Sequence, residues 1–257
     1  DAVTGGGDVR RWFGPQVRAW SASWYSEVMQ PQSLGEFLKS NVDQPRDHGM
    51  FELETEHVLQ INLDGEVWIK LGSMIAYRGD IRFEREGLLS QGIGNLLKKA
   101  VSGEGAKLTN AKGRGQLYVA DKSKRVTLLK LTGESLFVNG NDLLAFEKVL
   151  EHQITVMRKI SAIASGGLFN VRVGGSGCVA ITTHHRPLVL PVTRGQPVFT
   201  DPQATVAWSA TLTPDFKTDM QLKTLIGRGS GESFQMKFEG EGWVMVQPYE
   251  EDVMQAD

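Results

Sequence analysis

Sliding the 257-residue sequence along itself by 62 positions aligns 105–146 with 167–208 without a gap. Gly105, Gly113, Gly115, Leu128, Gly133, Phe137 and Ala145 meet Gly167, Gly175, Gly177, Leu190, Gly195, Phe199 and Ala207. Four of these matches are glycines at turn positions, so the two stretches share their bends as well as their apolar residues. A third copy is split between the ends of the chain. Gly240-Glu241-Gly242-Trp243-Val244-Met245-Val246 repeats Gly113–Val119 and Gly175–Ile181. Near the N-terminus, Gly65-Glu66 followed by Ala76-Tyr77 echoes Gly133-Glu134 with Ala145-Phe146, and Gly195-Gln196 with Ala207-Trp208.

The physics of the unit is legible. Leu117 and Val119, Val179 and Ile181, and Val244 and Val246 alternate with period two, which places each pair on one face of a half-buried strand. Glycines ahead of each strand permit positive φ, a bulge or a close backbone approach. The expected fold is all-β: three pseudo-repeated units in a single domain over 48–257, closed by pairing of the terminal strands so that few edges stay exposed. Leu143–Ile160 has helical spacing, but its alignment with Val206-Ala207-Trp208 and Ser209–Leu212 predicts strand. Leu88–Val101 is read as either a short amphipathic helix or an ordered loop.

Residues 1–47 form a different region. Val17, Trp20, Trp24 and Val28 lie on one stripe of a helix, with Trp12 and Arg10, Arg11 and Arg18 nearby. Trp12, Trp20 and Trp24 are the candidate interface, for a partner or an anionic membrane surface, against the alternative of a helix packed on its own domain. Gln30–Gly49 reads as a linker around a short Leu34-Phe37-Leu38 contact.

The strings Gly166–Val171, Gly133–Phe146 and Gly242–Pro248 resemble the altered inheritance of mitochondria protein 24 family, over about residues 48–250. That resemblance implies three β units like those of the tryptophan RNA-binding attenuation protein, of β-sandwich or double-stranded β-helix type. The family is bacterial with a mitochondrial branch associated with inner-membrane organisation. It supplies no catalytic residues, and 1–47 lies outside it.

Composition narrows the chemistry. With 28 Lys+Arg against 30 Asp+Glu, the net charge of −2 excludes a surface tuned throughout to nucleic acid. A single cysteine, Cys178, makes neither an intramolecular disulfide nor a Cys-rich zinc site. Cys178 is matched by Gln116 and Trp243 in the other units, so a thiol nucleophile is not expected there. His184-His185 falls on Lys122-Ser123 between two strands and reads as loop. Gly227–Ser233 is Gly-rich but lacks a P-loop ending. Between Lys98 and Lys130, nine basic residues meet only Glu104 and Asp121. Lys98, Lys99, Lys112, Arg114, Lys124 and Arg125 are therefore the candidate anion-binding residues, although Tyr118 alone offers stacking.

These observations lead to an expectation of a non-enzymatic β scaffold with no metal and no cofactor, self-associating as a homo-oligomer and binding a protein partner or membrane surface. The alternative is a small-ligand or RNA-binding protein using 98–130 or 227–233, with nucleic acid the less favoured partner. With no secretory signal or apolar span in these residues, a cytoplasmic location is expected.

Overall fold

Alternation sets the strands. In Val58–Lys70 (β2), Leu59, Ile61, Leu63, Val67 and Ile69 are all buried, one face of one strand. A computed structural model describes residues 31–43, 49–85, 108–156, 169–218 and 234–249. The other strands are β1 (Phe51–Thr55), β3 (Met74–Arg85), β4 (Leu108–Val119), β5 (Arg125–Asn139), β6 (Leu143–Glu147) and β7 (Glu151–Val156). They continue with β8 (Phe169–Thr183), β9 (Leu188–Val192), β10 (Val198–Thr200), β11 (Thr205–Ser209), β12 (Asp215–Thr218), β13 (Phe234–Phe238) and β14 (Gly242–Val246). The described chain is nearly all β, as the sequence predicts.

An eleven-stranded sheet runs β3-β4-β2-β6-β8-β5-β11-β14-β9, with β1 added to β2 and β7 to β8; β10-β13-β12 form a second, three-stranded sheet. The long path divides into β3-β4-β2, β6-β8-β5 and β11-β14-β9. Each set comes from one continuous stretch of chain, and its last strand in sequence lies between the other two. Adjacent sets join where β2 pairs β6 and where β5 pairs β11. Three backbone hydrogen bonds recur at corresponding places: the N–H groups of Ala120, Thr182 and Gln247 donate to the carbonyls of Ser73, Asp142 and Ala204, at 2.9, 2.7 and 2.9 Å.

The terminal strands do not pair with each other, which corrects the expected closure. β14 lies between β9 and β11, while β2 and β3 both pair with β4. Partners close in sequence close shorter loops at lower entropic cost, so each set assembles from neighbours and none is shared between the two ends. β3 and β9 consequently remain the ends of the path. The segment 143–160 supplies strands β6 and β7 as far as it is described. Pairing of both with β8 overrides its helical spacing.

Gly113 shows why glycines recur here. Its φ is +135°, and a Cβ would overlap the Asp80 carbonyl oxygen where β3 crosses β4 closely. Between the strands lie three apolar clusters, one around Phe146, Val179 and Ile181, one around Ile61, Leu117 and Val119, and one around Trp208, Phe238 and Val244. Burying a side chain such as Phe146 contributes roughly 1.5–3 kcal/mol.

The chain divides into residues 1–45 and 46–257. Within the first unit, Leu34–Asn41 is a helix (α1), where a linker was expected. The Ser33 hydroxyl accepts from the Glu36 N–H at 3.3 Å, and the Glu36 carboxylate accepts from the Ser33 N–H at 3.0 Å. That reciprocal cap satisfies donors at the helix start, and Ser33-Leu34-Gly35-Glu36 was its sequence signal. The stretches 10–28, with its three tryptophans, and 88–101 lie outside the described residues.

Candidate functional site

The basic run resolves into two kinds of site. Lys112 and Arg114 sit two residues apart on β4, flanked by β2 and β3. The Lys112 ammonium lies 2.9 Å from Glu84 and 3.6 Å from Glu66. Glu84 holds the Lys112 ammonium above its ordinary range. Glu66 is lowered, first by a hydrogen bond from the Asn110 amide and then by the charges of Lys112 and Lys148. Arg114 meets Asp64 through its Nε and Nη2 at 3.0–3.1 Å, with both side chains largely exposed. Arg125 stands 3.9 Å from Glu56. Lys98 and Lys99 lie outside the described residues.

Lys124 is different. Its side chain is 1% exposed and its ammonium donates to Asp142 Oδ1 at 3.1 Å, a carboxylate that is 0% exposed. Asp121 lies 3.7 Å away, and accepts from the Lys70 ammonium at 2.8 Å and from Thr182 Oγ1 at 3.3 Å. The Asn141 carbonyl accepts from both lysines, at 2.7 and 3.2 Å. Gln247 Nε2 reaches Asp142 Oδ1 at 3.4 Å. Two cations and two carboxylates thus balance, Lys124, Asp121 and Asp142 buried and Lys70 partly exposed beside them, at a point where the ends of β2, β4, β8 and β14 and the β5–β6 turn converge. The sequence reading placed Lys124 on an anion-binding surface; the structure buries it in this network. An ion taken from water requires such partners, and Asp142 and Asp121 supply them.

The remaining candidates stay apart. His184 follows β8, stacks on Tyr249 at 3.6 Å between ring centroids, and donates its backbone N–H to Gln247 Oε1 at 2.9 Å. No group of three or more His, Cys, Asp or Glu suited to a metal occurs among the described residues. Cys178 is half-buried in β8, where burial, reinforced by the Glu147 charge, pushes its thiol up, away from the reactive thiolate. Glu147 instead accepts the Cys178 backbone N–H at 3.0 Å, and Ser209 accepts that of Trp243 at 3.1 Å in the corresponding place. Gly227–Ser233 lies outside the described residues.

What sequence reasoning missed is apolar. Met74, Ile75 and Tyr77 on β3, Leu188 and Val189 on β9, and Phe199 on β10 are all exposed. For β3 the signal was present in the alignment of Ala76-Tyr77 with Ala145-Phe146 and Ala207-Trp208, whose last two pairs are buried. No helix among the described residues is long and apolar enough to cross a membrane.

Residues 51–249 match the family model described as mitochondrial biogenesis AIM24. No curated protein matches. Among solved structures, the X-ray structure of protein SPYM3_0169 from Streptococcus pyogenes superposes with a TM-score of 0.60 at 22% identity, covering 78% of this chain and 92% of that one. At that identity the likeness concerns the fold.

Proposed function

This chain belongs to the AIM24 family, and we propose that it acts as a non-enzymatic β scaffold that self-associates and binds a protein partner or a membrane surface. The observation that carries this reading is the contrast between its charges and its apolar side chains. Each described candidate for anion binding is already engaged by a carboxylate, with Lys112 on Glu84, Arg114 on Asp64, Lys124 on Asp142 and Arg125 on Glu56. Meanwhile Met74, Ile75, Tyr77, Leu188, Val189 and Phe199 are held at the surface on ordered strands. Scattered exposed apolar residues are ordinary, whereas several on strands at the ends of sheets suit docking. In the alternative, a small ligand or RNA held by 98–130 or 227–233, a ligand on Lys112, Arg114, Lys124 or Arg125 would have to displace those ion pairs.

The test is sedimentation velocity of the full chain beside a chain starting at residue 48, together with flotation on anionic vesicles. The reading expects a species heavier than a monomer, or vesicle binding that the shortened chain loses. A full chain that stays monomeric at every concentration and ignores both vesicles and protein partners removes it. Salt-sensitive binding of RNA that weakens on reversing Lys112 and Arg114 to Glu would favour the alternative.

A further inference from the structure

The molecule makes one kind of joint twice. In β2–β6, Val67, Trp68 and Ile69 face Glu147, Phe146 and Ala145; in β5–β11, Leu136, Phe137 and Val138 face Ser209, Trp208 and Ala207. At the centre of each joint two aromatic rings stack, Trp68 on Phe146 at 6.4 Å and 24°, and Phe137 on Trp208 at 5.4 Å and 18°. Both halves of a third such joint exist on the chain. The 62-residue shift carries Leu136-Phe137-Val138 onto Val198-Phe199-Thr200, which is β10. Phe137 pairs with Arg172 in β5–β8 and Phe199 with Lys237 in β10–β13, and Lys237 stands 65 residues after Arg172, as Gly240 stands after Gly175 in the repeat. The other half is β3, where Met74-Ile75-Ala76-Tyr77 corresponds to Leu143-Leu144-Ala145-Phe146 and Thr205-Val206-Ala207-Trp208.

These halves do not meet within the described residues. β3 pairs there with β4 alone, and β10 with β13 alone. Exposure follows. Leu143–Phe146 and Thr205–Trp208 are buried throughout, whereas Ile75 is 56% exposed, Tyr77 (edge-on to Phe83) 48% and Phe199 51%. The third copy keeps residues suited to burial on an edge that nothing described here covers. A strand edge of that composition is a template for another strand.

Resting on the scaffold reading, we propose that the β3 edge of one copy of this chain pairs with the β10 edge of the next. Phe199 lies opposite Tyr77, Thr200 opposite Ala76, and Val198 opposite Arg78. The occupant is a second copy because the chain itself carries both complementary halves, in the register its two internal joints already use. Such a contact is heterologous, so copies add head to tail and close into a ring where the rotation permits.

The experiment is sedimentation velocity over a concentration series on the full chain and on Tyr77→Glu and Phe199→Glu, each introducing a charge at a position about half exposed in the free chain. Wild type is expected to sediment as an oligomer and each variant as a monomer, with thermal melts close to wild type. Mixing the two variants is the decisive step. The Phe199 of one still fits the Tyr77 of the other, so the mixture stops at a dimer. A Tyr77→Cys, Phe199→Cys chain treated with a short bismaleimide should link copies into a ladder that the parent chain does not form. Cross-links confined within single chains would mean that the joint closes internally, and would overturn the proposal. An oligomer indifferent to both glutamates overturns the pairing while leaving the scaffold reading intact; a wild-type monomer defeats the pairing and counts against self-association in that reading too.

Discussion

Lys124 and Arg114 come from the same basic stretch, ten residues apart, and the fold treats them in opposite ways. Arg114 forms a geometrically good ion pair with Asp64 in water, both partners largely exposed. Lys124 forms its pair with Asp142 out of water. In solvent the attraction is screened and the partners are readily rehydrated, so such pairs contribute little. In the interior each ion has lost its hydration and depends on its partner, so breaking the pair costs far more than the pair itself contributes. Charge density along a sequence therefore says little about binding until burial is known.

The largest effect is expected from removing one partner of the buried network. Asp142→Ala leaves the Lys124 ammonium in the interior with Asp121 as the nearest remaining carboxylate, and should cost about 3–5 kcal/mol in chemical denaturation. Adding Lys124→Met should restore much of that loss, because an apolar side chain of similar length needs no partner. A double variant no more stable than Asp142→Ala would show that the network does something other than neutralise Lys124.

An intermediate effect is expected from acid at Glu66. Its carboxyl is lowered in the folded chain, first through the Asn110 hydrogen bond. A group lowered on folding adds stability that is present above its unfolded value and is lost as pH falls through its folded value. Stability should therefore decline below the ordinary carboxylate range, and Glu66→Gln should make that decline shallower in a series of melts at falling pH. An identical pH profile in the variant would remove Glu66 from the account.

The smallest effect belongs to Arg114. Arg114→Ala should change stability by about 0.5 kcal/mol or less, and that change should shrink as salt is added. A loss comparable to that of Asp142→Ala would mean that Arg114 is covered by something in solution, and the contrast drawn above would fail.

Much of the architecture was legible in advance because its cause is local. Strand periodicity at Leu117/Val119 and Val179/Ile181 places the residues that are buried, and the glycines ahead of them mark real positive-φ sites such as Gly113 and Gly175. The capping box at Ser33–Glu36 was equally legible and went unread, since the polar residues and prolines around it suggested a linker. The candidate site was much less legible. Lys124, read as a surface cation, is buried with Asp121, 3 residues back, and Asp142, 18 further along, and those carboxylates take hydrogen bonds from Thr182 and Gln247, which lie far beyond.

Which segments become strands and where they bend follow from the local sequence, because alternation and glycine conformation act over a few residues. Which edges meet was settled by long-range packing. β14 found β9 and β11 in place of the N-terminal strands, and Phe146 and Trp208 were covered while Tyr77 was left open. Pairing depends on loop closure and on neighbours brought from dozens of residues away, and neither is written in the local pattern.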